Sequence, residues 1–297
     1  MVWIQKSFEE ARQGLLYLVP TPIGNLEDIT LRALKVLEDV DYIACEDTRQ
    51  TLKLLNHFNI KKKLVSYHEH NQREKGPQIV ADLTEGKRIA LVSDAGMPAI
   101  SDPGEDLVRL AIDAKIPVIS LPGPNAALTG LVASGLATRH FLFYGFLSRK
   151  GSERRQELAQ LRSLPYTLLF YVAPHHLLET LSDMRDILGE RQAALIKEIS
   201  KLHEQYVRGK LAELIEWATL ETIRGEYMLV VEPYQGQDAE EAHPWWHQLS
   251  ITHHVAHYIQ QGLKPNEAIK RTARDRSLPK RKVYQIYHGL KEGQGGE

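Results

Sequence analysis

The residues best suited to contact a ligand lie where three apolar runs of the sequence end. The loop at 93–104 reads Ser-Asp-Ala-Gly-Met-Pro-Ala-Ile-Ser-Asp-Pro-Gly, the loop at 20–28 begins Pro-Thr-Pro-Ile-Gly-Asn, and the loop at 122–126 reads Pro-Gly-Pro-Asn-Ala. Backbone built of such residues can approach a ligand closely, and α/β sheets place their binding sites at the carboxyl ends of strands. For any one loop, an ordinary strand-to-helix turn is the alternative.

The elements that must position these loops alternate between strand-like and helix-like patterns. The first part of the chain predicts strands near 15–19, 41–45, 88–93 and 117–121, and helices near 30–38, 47–57, 71–85, 104–114 and 125–133. This βαβ order predicts a parallel sheet, whose strand ends share one edge, so the three loops should converge on one crevice. A second α/β unit is predicted by strands near 141–146, 166–172, 192–199 and 226–231, and helices near 153–163, 175–188 and 210–220.

The motifs for two common ligand classes are missing from the three loops. None of them contains Gly-x-Gly-x-x-Gly or Gly-x-x-x-x-Gly-Lys. This excludes a dinucleotide fingerprint and a triphosphate-binding loop as the basis of the crevice.

The histidines give only weak evidence for a metal. His68 and His70 lack a clear third ligand, and His253, His254 and His257 have the spacing of one packed or solvated helix face. The sequence therefore predicts no metal site.

Two charged segments could supply catalytic groups. The first, Glu46-Asp-Thr-Arg49, follows the second predicted strand, although Asp47 with Gln50 three residues later is also a good helix start.

The second charged segment, 197–204, lies at the end of the predicted strand 192–199. Strand alternation would place Lys197 and Ile199 on one side and Glu198 on the other. Lys201 or His203 could act as a base or stabilise a developing alkoxide, and a surface ion-pair cluster is the alternative.

The C-terminal part of the chain is basic and helical in pattern. A polar segment at 232–243 predicts a linker, and Pro265 and Leu278-Pro279 predict a helix start and a helix break, as in a small helix-turn-helix unit. Between residues 262 and 292 there are nine Lys and Arg against three acidic residues. This charge favours an arm that contacts RNA phosphates, with a dimer-contact or capping bundle as the alternative.

Composition limits the class of protein. At 297 residues and 43% hydrophobic content the chain can form several domains, and we predict boundaries at 1–125, 126–236 and 237–297. The single Cys45 excludes an intrachain disulfide, and no apolar run approaches the roughly 20 residues of a membrane helix. The first ten residues lack the regions of a signal peptide, so we expect a cytoplasmic protein. A net charge of −1 means that any nucleic-acid site must be a local patch.

Several segments in register resemble the tetrapyrrole methylase superfamily, and in particular its ribosomal branch, which methylates a cytidine 2′-oxygen of 16S rRNA. Besides the three loops, the resemblance rests on segments at 46–49, 145–150, 170–175 and 197–204. It extends from about residue 15 to about residue 233, and a basic helical tail like that of the family follows. This chain has Met97 where the family more often has Thr, and Val172-Ala-Pro-His-His176 where Glu-Ser-Pro-His-Arg is more common.

The resemblance implies a fold, a cofactor and partners. The fold is α/β, with two α/β domains of the methylase type that hold S-adenosylmethionine in the cleft between them, plus a C-terminal helical tail. The partners are 16S rRNA or the 30S subunit and a second copy of the chain, in a homodimer. The residues implied for the cofactor are Ile23, Gly24, Asp94, Ala95, Met97, Pro122, Asn125, Ala126, Val172, Tyr227 and Met228.

Residues on the substrate side follow from the same resemblance together with the charge pattern. Glu46 and Arg49 would face the substrate, where Arg49 could bind a phosphate through two hydrogen bonds, and Lys201 and His203 complete the catalytic candidates. The residues predicted to bind RNA are Arg149, Lys150, Arg154, Arg155, Lys270, Arg271, Arg274, Lys280, Arg281 and Lys282.

Two other functions remain open from the sequence. A methylase of small molecules or proteins could use the same scaffold, although it would not need the basic tail. A non-catalytic RNA-binding assembly factor could retain the crevice, and it would bind S-adenosylmethionine without turnover.

Overall fold

The computed structural model describes residues 2–6, 14–236, 246, 249–276 and 278–289. The chain divides into two compact units, residues 1–234 and 235–297. The finer division of the first unit at residue 125 stays a prediction.

The first unit begins with a five-stranded parallel sheet in the order β3-β2-β4-β1-β5. Its strands are β1 (Leu15–Leu18), β2 (Tyr42–Cys45), β3 (Lys63–Ser66), β4 (Arg88–Val92) and β5 (Val118–Ser120). The connecting helices are α1 (Leu31–Asp39), α2 (Thr48–His57), α3 (Gln72–Thr84) and α4 (Glu105–Asp113). Helices α1 and α2 contribute to the apolar core on one face of the sheet, and α3 and α4 to the core on the other. Both faces are thus buried, as is usual for parallel sheets.

A second five-stranded sheet completes the first unit, in the order β6-β7-β10-β8-β9. Its strands are β6 (Phe141–Phe146), β7 (Thr167–Val172), β8 (Gln192–Lys197), β9 (Gln205–Lys210) and β10 (Tyr227–Val231). Helix α5 (Ala126–Ser134) contributes to the core on one face. Helices α6 (Gly151–Leu161), α7 (Leu177–Leu188) and α8 (Leu211–Leu220) contribute to the core on the other. All five residues of β10 are buried, so this strand is the centre of the second core.

Three features of the first unit differ from the sequence-based expectation. Strands β3 and β9 were not predicted, because both are edge strands whose half-exposed, partly polar residues give no continuous apolar run. The predicted strand 192–199 ends at Lys197, since Glu198 adopts a φ of 51°. The expected alternation from Lys197 to Ile199 is therefore wrong.

The described part of the second unit forms three helices, α9 (Ile251–Gln260), α10 (Pro265–Asp275) and α11 (Lys280–Tyr287). Their shared core includes Val255, Tyr258, Ile269 and Val283. The helix start at Pro265 and the break at Leu278-Pro279 are as expected from the sequence. Residues 237–243 of the expected linker, and the chain from residue 290 onward, lie outside the described residues. Within the described part of the chain, no helix is long and apolar enough to cross a membrane.

Candidate functional site

The loops after β1 and β4 are joined by hydrogen bonds into one surface. Thr21 and Gly96 exchange two backbone hydrogen bonds of 3.0 Å each. The hydroxyl of Thr21 donates to the carbonyl of Ser93 at 3.0 Å, and the hydroxyl of Ser93 donates to the carbonyl of Gly96 at 3.1 Å. These hydrogen bonds connect the first two loops just after the ends of β1 and β4, so the two loops form one wall of the site.

The third loop leads from β5 into α5. The side chain of Asn125 caps this helix, because its Oδ1 accepts a hydrogen bond of 2.9 Å from the amide of Leu128. Because β5 pairs with β1 in parallel, the third loop leaves the same edge of the sheet as the first. The parallel order thus brings the three loops together.

The opposite wall depends on an antiparallel strand. β10 runs antiparallel to both β7 and β8, so it begins at the edge where those two strands end. Tyr227 is paired with Val172 on one side and with Lys197 on the other. The start of one strand and the ends of two others therefore form a single surface.

The two walls enclose a cavity of about 370 Å³. This volume lies within the roughly 300–1,000 Å³ typical of small-molecule sites, and the lining is mostly apolar with a few polar groups, as such sites usually are. Eight of the eleven residues predicted for the cofactor line it: Ile23, Ala95, Met97, Asn125, Ala126, Val172, Tyr227 and Met228.

The other three predicted cofactor residues are not among the lining residues. Gly24 lies beneath Lys201, and a carboxylate oxygen of Asp94 accepts a hydrogen bond of 3.2 Å from the amide of Asp47. Pro122 precedes the lining part of its loop.

Sequence reasoning missed part of the lining. Its candidates left out Gly96, Ile100, Ser101, Asp102, Phe146, Tyr171, Ala173, Pro174, Ile196, Ile199 and Glu226. Four of them, Gly96, Tyr171, Ala173 and Glu226, are sequence neighbours of predicted residues. Phe146 and Ile196 lie at or next to the ends of strands, so the signal available was position at strand ends. Asp102 lies in the loop at 93–104, for which an ordinary strand-to-helix turn is the alternative.

Of the six non-glycine residues with positive φ in the described part of the chain, four lie in two loops beside the cavity, those after β4 and β8. Ala99 and Ser101 have φ values of 66° and 61°, and Glu198 and Ser200 have 51° and 66°. Non-glycine residues in this region are uncommon and cluster at binding and catalytic sites. Both loops border the cavity, since Ser101 and Ile199 line it.

Three carboxyl groups influence one another at this end of the first sheet. Burial, followed by the charges of Glu46 and Asp94, raises the pKa of Asp102 to about 6. Burial is also the main cause that raises the pKa values of Glu46 and Asp94. Asp102 alone of the three lines the cavity, so it can exchange a proton with a ligand near neutral pH.

Lys201 does not line the cavity, but it is held as a cation beside Glu226, which does. Its Nζ donates to carboxylate oxygens of Glu198 and Glu226, each at 3.0 Å. Burial works to lower the pKa of Lys201, but these two hydrogen bonds outweigh it and the pKa is raised. Lys201 is thus suited to stabilise negative charge rather than to act as a base.

The remaining catalytic candidates do not line the cavity either. The side chain of Arg49 is 87% exposed, and its Nη2 lies 3.0 Å from a carboxylate oxygen of Asp47, which caps α2. His203 is exposed. Glu46 is half-buried and does not line the cavity.

The basic residues near the start of α6 fall into two groups. Arg149 and Lys150 are exposed, and Lys150 pairs with Glu153 at 2.9 Å. Arg154 is only 4% exposed, and its Nε donates to Asp183 at 2.7 Å. This corrects the expectation of an RNA contact at Arg154, because a buried guanidinium paired inside the protein does not reach a phosphate.

Arg155 is half-exposed and shares that carboxylate. Its Nη1 lies 2.6 Å from the second oxygen of Asp183 and 3.6 Å from Asp186. Asp183 therefore pairs with two consecutive arginines, the buried Arg154 and the half-exposed Arg155.

The predicted RNA-binding residues of the second unit are all at its surface. Lys270, Arg271 and Arg274 lie on the exposed side of α10, and Lys280, Arg281 and Lys282 form the exposed first turn of α11. The guanidinium of Arg271 also lies 5.1 Å from the ring centre of Tyr258.

Among the histidines, His254 has a clear packing role. His254 is fully buried and stacks on Trp246, with ring centres 5.3 Å apart. Among the described residues, no group of three or more His, Cys, Asp or Glu side chains could hold a metal ion.

Comparison with known proteins decides the family. Residues 15–215 match the family described as Tetrapyrrole (Corrin/Porphyrin) Methylases. The chain belongs to the tetrapyrrole methylase family. The family resemblance and the α/β fold class expected from the sequence are thereby confirmed.

Two relatives cover nearly the whole tetrapyrrole methylase chain. The ribosomal RNA small subunit methyltransferase I of Halalkalibacterium halodurans is 53% identical, over 96% of this chain and 98% of its own length. The protein of the same name from Bacillus subtilis is 51% identical, again over 96% of this chain and 98% of its own length.

Solved structures share the fold of this tetrapyrrole methylase. One is the uroporphyrin-III C-methyltransferase of Thermus thermophilus, solved in complex with S-adenosylhomocysteine. It is 19% identical, covers 74% of this chain and 97% of its own, and has a TM-score of 0.53.

Proposed function

We propose that this tetrapyrrole methylase transfers a methyl group from S-adenosylmethionine to the 2′-oxygen of a cytidine ribose in 16S rRNA. The observation that carries the proposal is the cavity between the two sheets, which is lined by Asp102 and by Glu226, the partner of the Lys201 cation. The proposal is also supported by the two relatives that are just over 50% identical to this chain and are named ribosomal RNA small subunit methyltransferase I. A role on ribosomal subunits implies a cytoplasmic location.

The cavity fits the cofactor in size and in chemistry. Its apolar lining suits an adenosyl group, and the carboxyl groups of Asp102 and Glu226 suit a sulfonium cation. Ile23, Asn125 and Met228 are among the residues that would hold the cofactor. S-adenosylmethionine supplies an activated methyl group, so the protein must mainly position the acceptor and exclude water.

The chain's own residues can assist the acceptor. A ribose hydroxyl is a weak nucleophile at neutral pH, and Asp102 is placed to accept its proton, because a carboxyl group with a pKa of about 6 is ionised at pH 7.5 and still basic. The Lys201 ammonium, held by Glu198 and Glu226, would stabilise negative charge that develops on the acceptor oxygen.

The second unit would bind the RNA backbone. Six basic side chains project from α10 and α11, and a cluster of this kind has its clearest use on a polyanion. A matching role for the exposed Arg149 and Lys150 in the first unit is part of the proposal.

A homodimer is also part of the proposal. Leu128 and Val132 are one turn apart on α5, and they are 50% and 71% exposed. A second copy would cover this apolar pair. Light scattering on the Val132→Glu variant tests the idea: the variant should be monomeric where the wild type is dimeric, and an unchanged mass would contradict it.

The deciding experiment is methyl incorporation from labelled S-adenosylmethionine into small ribosomal subunits that lack the modification, followed by nucleoside digestion. Label on a ribose-methylated cytidine is the expected result. Label on a base, on a ribosomal protein or on a small molecule would contradict the proposed acceptor. Cofactor binding without any turnover would instead indicate a non-catalytic assembly factor.

A further inference from the structure

A second, smaller cavity of about 230 Å³ adjoins the first. The two cavities share four residues, Phe146, Tyr171, Val172 and Ala173. The rest of the smaller cavity is lined by Leu147, Ser148, Arg149, Arg154, His176 and Thr180. A ligand in the smaller cavity would therefore lie beside a ligand in the larger one.

The backbone of β6 turns an aromatic side chain toward the junction. The register between β6 and β7 shifts between Phe143 and Gly145, where Phe143 pairs with Leu169 but Gly145 pairs with Phe170. Gly145 has a φ of 82°, so the shift is a bulge at a residue free to adopt that conformation.

The bulge changes the face on which Phe146 lies. Strict alternation would put Phe146 on the face of Tyr144, which packs against Phe170 in the core beneath α6 and α7. With the extra residue, Phe146 pairs with Tyr171 instead and lines the cavity. Bulges beside binding sites commonly re-aim a side chain in this way.

Phe146 is positioned as an exposed platform. Its side chain is 57% exposed, although its ring centre lies 5.4 Å from that of Tyr171. The ring of Phe146 is thus supported by Tyr171, and much of its remaining surface is open to a flat ligand.

The far end of the smaller cavity offers polar and cationic groups. The Nδ1 atom of His176 is buried without a hydrogen bond and lies 3.6 Å from Glu179. Arg149 is exposed at the rim, and its carbonyl oxygen accepts a hydrogen bond of 3.4 Å from the buried Arg154. The cavity therefore combines an aromatic platform with a site for an anionic or hydrogen-bonding group.

We infer that the smaller cavity binds the unpaired acceptor nucleotide, with its base stacked on Phe146 and its phosphate toward Arg149. This rests on the proposed function, since it assigns the place of the acceptor beside the cofactor. A stacked base and a contacted phosphate are the usual means by which proteins hold single-stranded nucleic acid. An acceptor held here would present its ribose to the shared boundary of the two cavities.

The test compares three variants in the methylation assay. Phe146→Ala should lower kcat/KM for the ribosomal subunit by roughly tenfold to a hundredfold, the range expected when one base–aromatic stack is lost. Phe146→Trp should retain most of the activity, because stacking is preserved. Phe141→Ala is the matched control, since Phe141 is 41% exposed on the same strand but lines neither cavity.

Two binding measurements separate the outcomes. Calorimetry with S-adenosylhomocysteine should give similar affinities for all variants. If Phe146→Ala instead loses cofactor affinity by the same factor as it loses kcat/KM, Phe146 belongs to the cofactor site and the inference is overturned. Anisotropy with a labelled, cytidine-containing RNA of about ten nucleotides should show weaker binding for Phe146→Ala alone. If the wild type methylates subunits but Phe146→Ala is unimpaired, the acceptor site is wrong. If the wild type methylates no rRNA yet binds RNA in a Phe146-dependent way, the nucleotide site stands and the proposed function fails.

Discussion

The side chain of Lys201 lies over Gly24, so a Cβ atom at residue 24 would stand 2.3 Å from Cγ of Lys201 and 3.1 Å from the carbonyl oxygen of Ile199. The first loop of one wall and the Lys201 segment of the other are therefore in contact only because residue 24 has no side chain. This contact also fixes the lysine whose Nζ is shared by Glu198 and Glu226.

Gly24→Ala should disturb this contact and reduce cofactor binding. The added methyl group must displace Lys201, at a cost of about 1–3 kcal/mol in stability, as for other overpacked sites. Calorimetry with S-adenosylhomocysteine and thermal unfolding measure the two effects. Gly151→Ala is the matched control, because a Cβ there meets nothing closer than 3.7 Å. Equal behaviour of the two variants would show that the Gly24 contact does not organise the site.

The rate of methylation should follow the ionisation of Asp102. Only the carboxylate can accept a proton, so kcat/KM for the acceptor should rise about tenfold per pH unit below a pKa of about 6 and level off above it. Asp102→Asn should abolish this dependence and lower kcat by about 10²–10⁴. A pH profile for Asp102→Asn that matches the wild type would assign the titration to another group.

Arg154 and Arg155 should differ in their effects on stability, although both pair with Asp183. Arg154→Ala leaves the largely buried carboxylate of Asp183 without its interior partner, and it should lower the free energy of unfolding by about 3–5 kcal/mol. Arg155→Ala removes a half-exposed partner of Asp183, and it should lower the free energy of unfolding by less than about 1 kcal/mol. Urea unfolding measures both. Similar losses would mean that Arg154 contributes no more than a surface pair does.

The basic residues of the second unit should set the salt dependence of RNA binding. Replacing Lys270, Arg274 and Lys280 by Gln should reduce the slope of log K against log salt concentration by about 2, since each lost phosphate contact removes about 0.7–0.9. Cofactor affinity should not change. The control is a variant with the same loss of charge at three exposed lysines of the first unit, Lys35, Lys61 and Lys115. An equal slope change in both variants would indicate a general effect of net charge.

Much of the first wall could be predicted from local patterns. The apolar runs that became β1, β4 and β5 and the small, proline-containing loops after them are visible in the sequence, and parallel pairing then requires that the loops meet. Helices α10 and α11 of the tail could be predicted in the same way, because Pro265 and Pro279, whose φ angle is fixed by the ring, mark where they begin.

The second wall depended on contacts between distant parts of the chain. Nothing local shows that β10 enters between β7 and β8 in the antiparallel sense, yet this pairing brings Tyr227 beside Val172. The bulge that turns Phe146 to the cavity depends in the same way on its partner strand, because a shift of one residue reverses the face of every side chain beyond it.

The sequence by itself thus determined the alternation of strands and helices apart from the edge strands β3 and β9, the loops that line the cavity, the basic tail and the family. Only the tertiary structure decided which charged groups face the cavity. Arg154 and Arg149 are alike in type and close in sequence, but burial against Asp183 makes one of them structural and leaves the other exposed at the rim of a cavity. The loop that contains Asp102 resembles an ordinary strand-to-helix turn. The raised pKa of Asp102 arises from burial and from the charges of Glu46 and Asp94, and only the folded sheet brings Glu46 near it. The physical reason is that burial and electrostatic coupling depend on distances in space, which local sequence patterns do not contain.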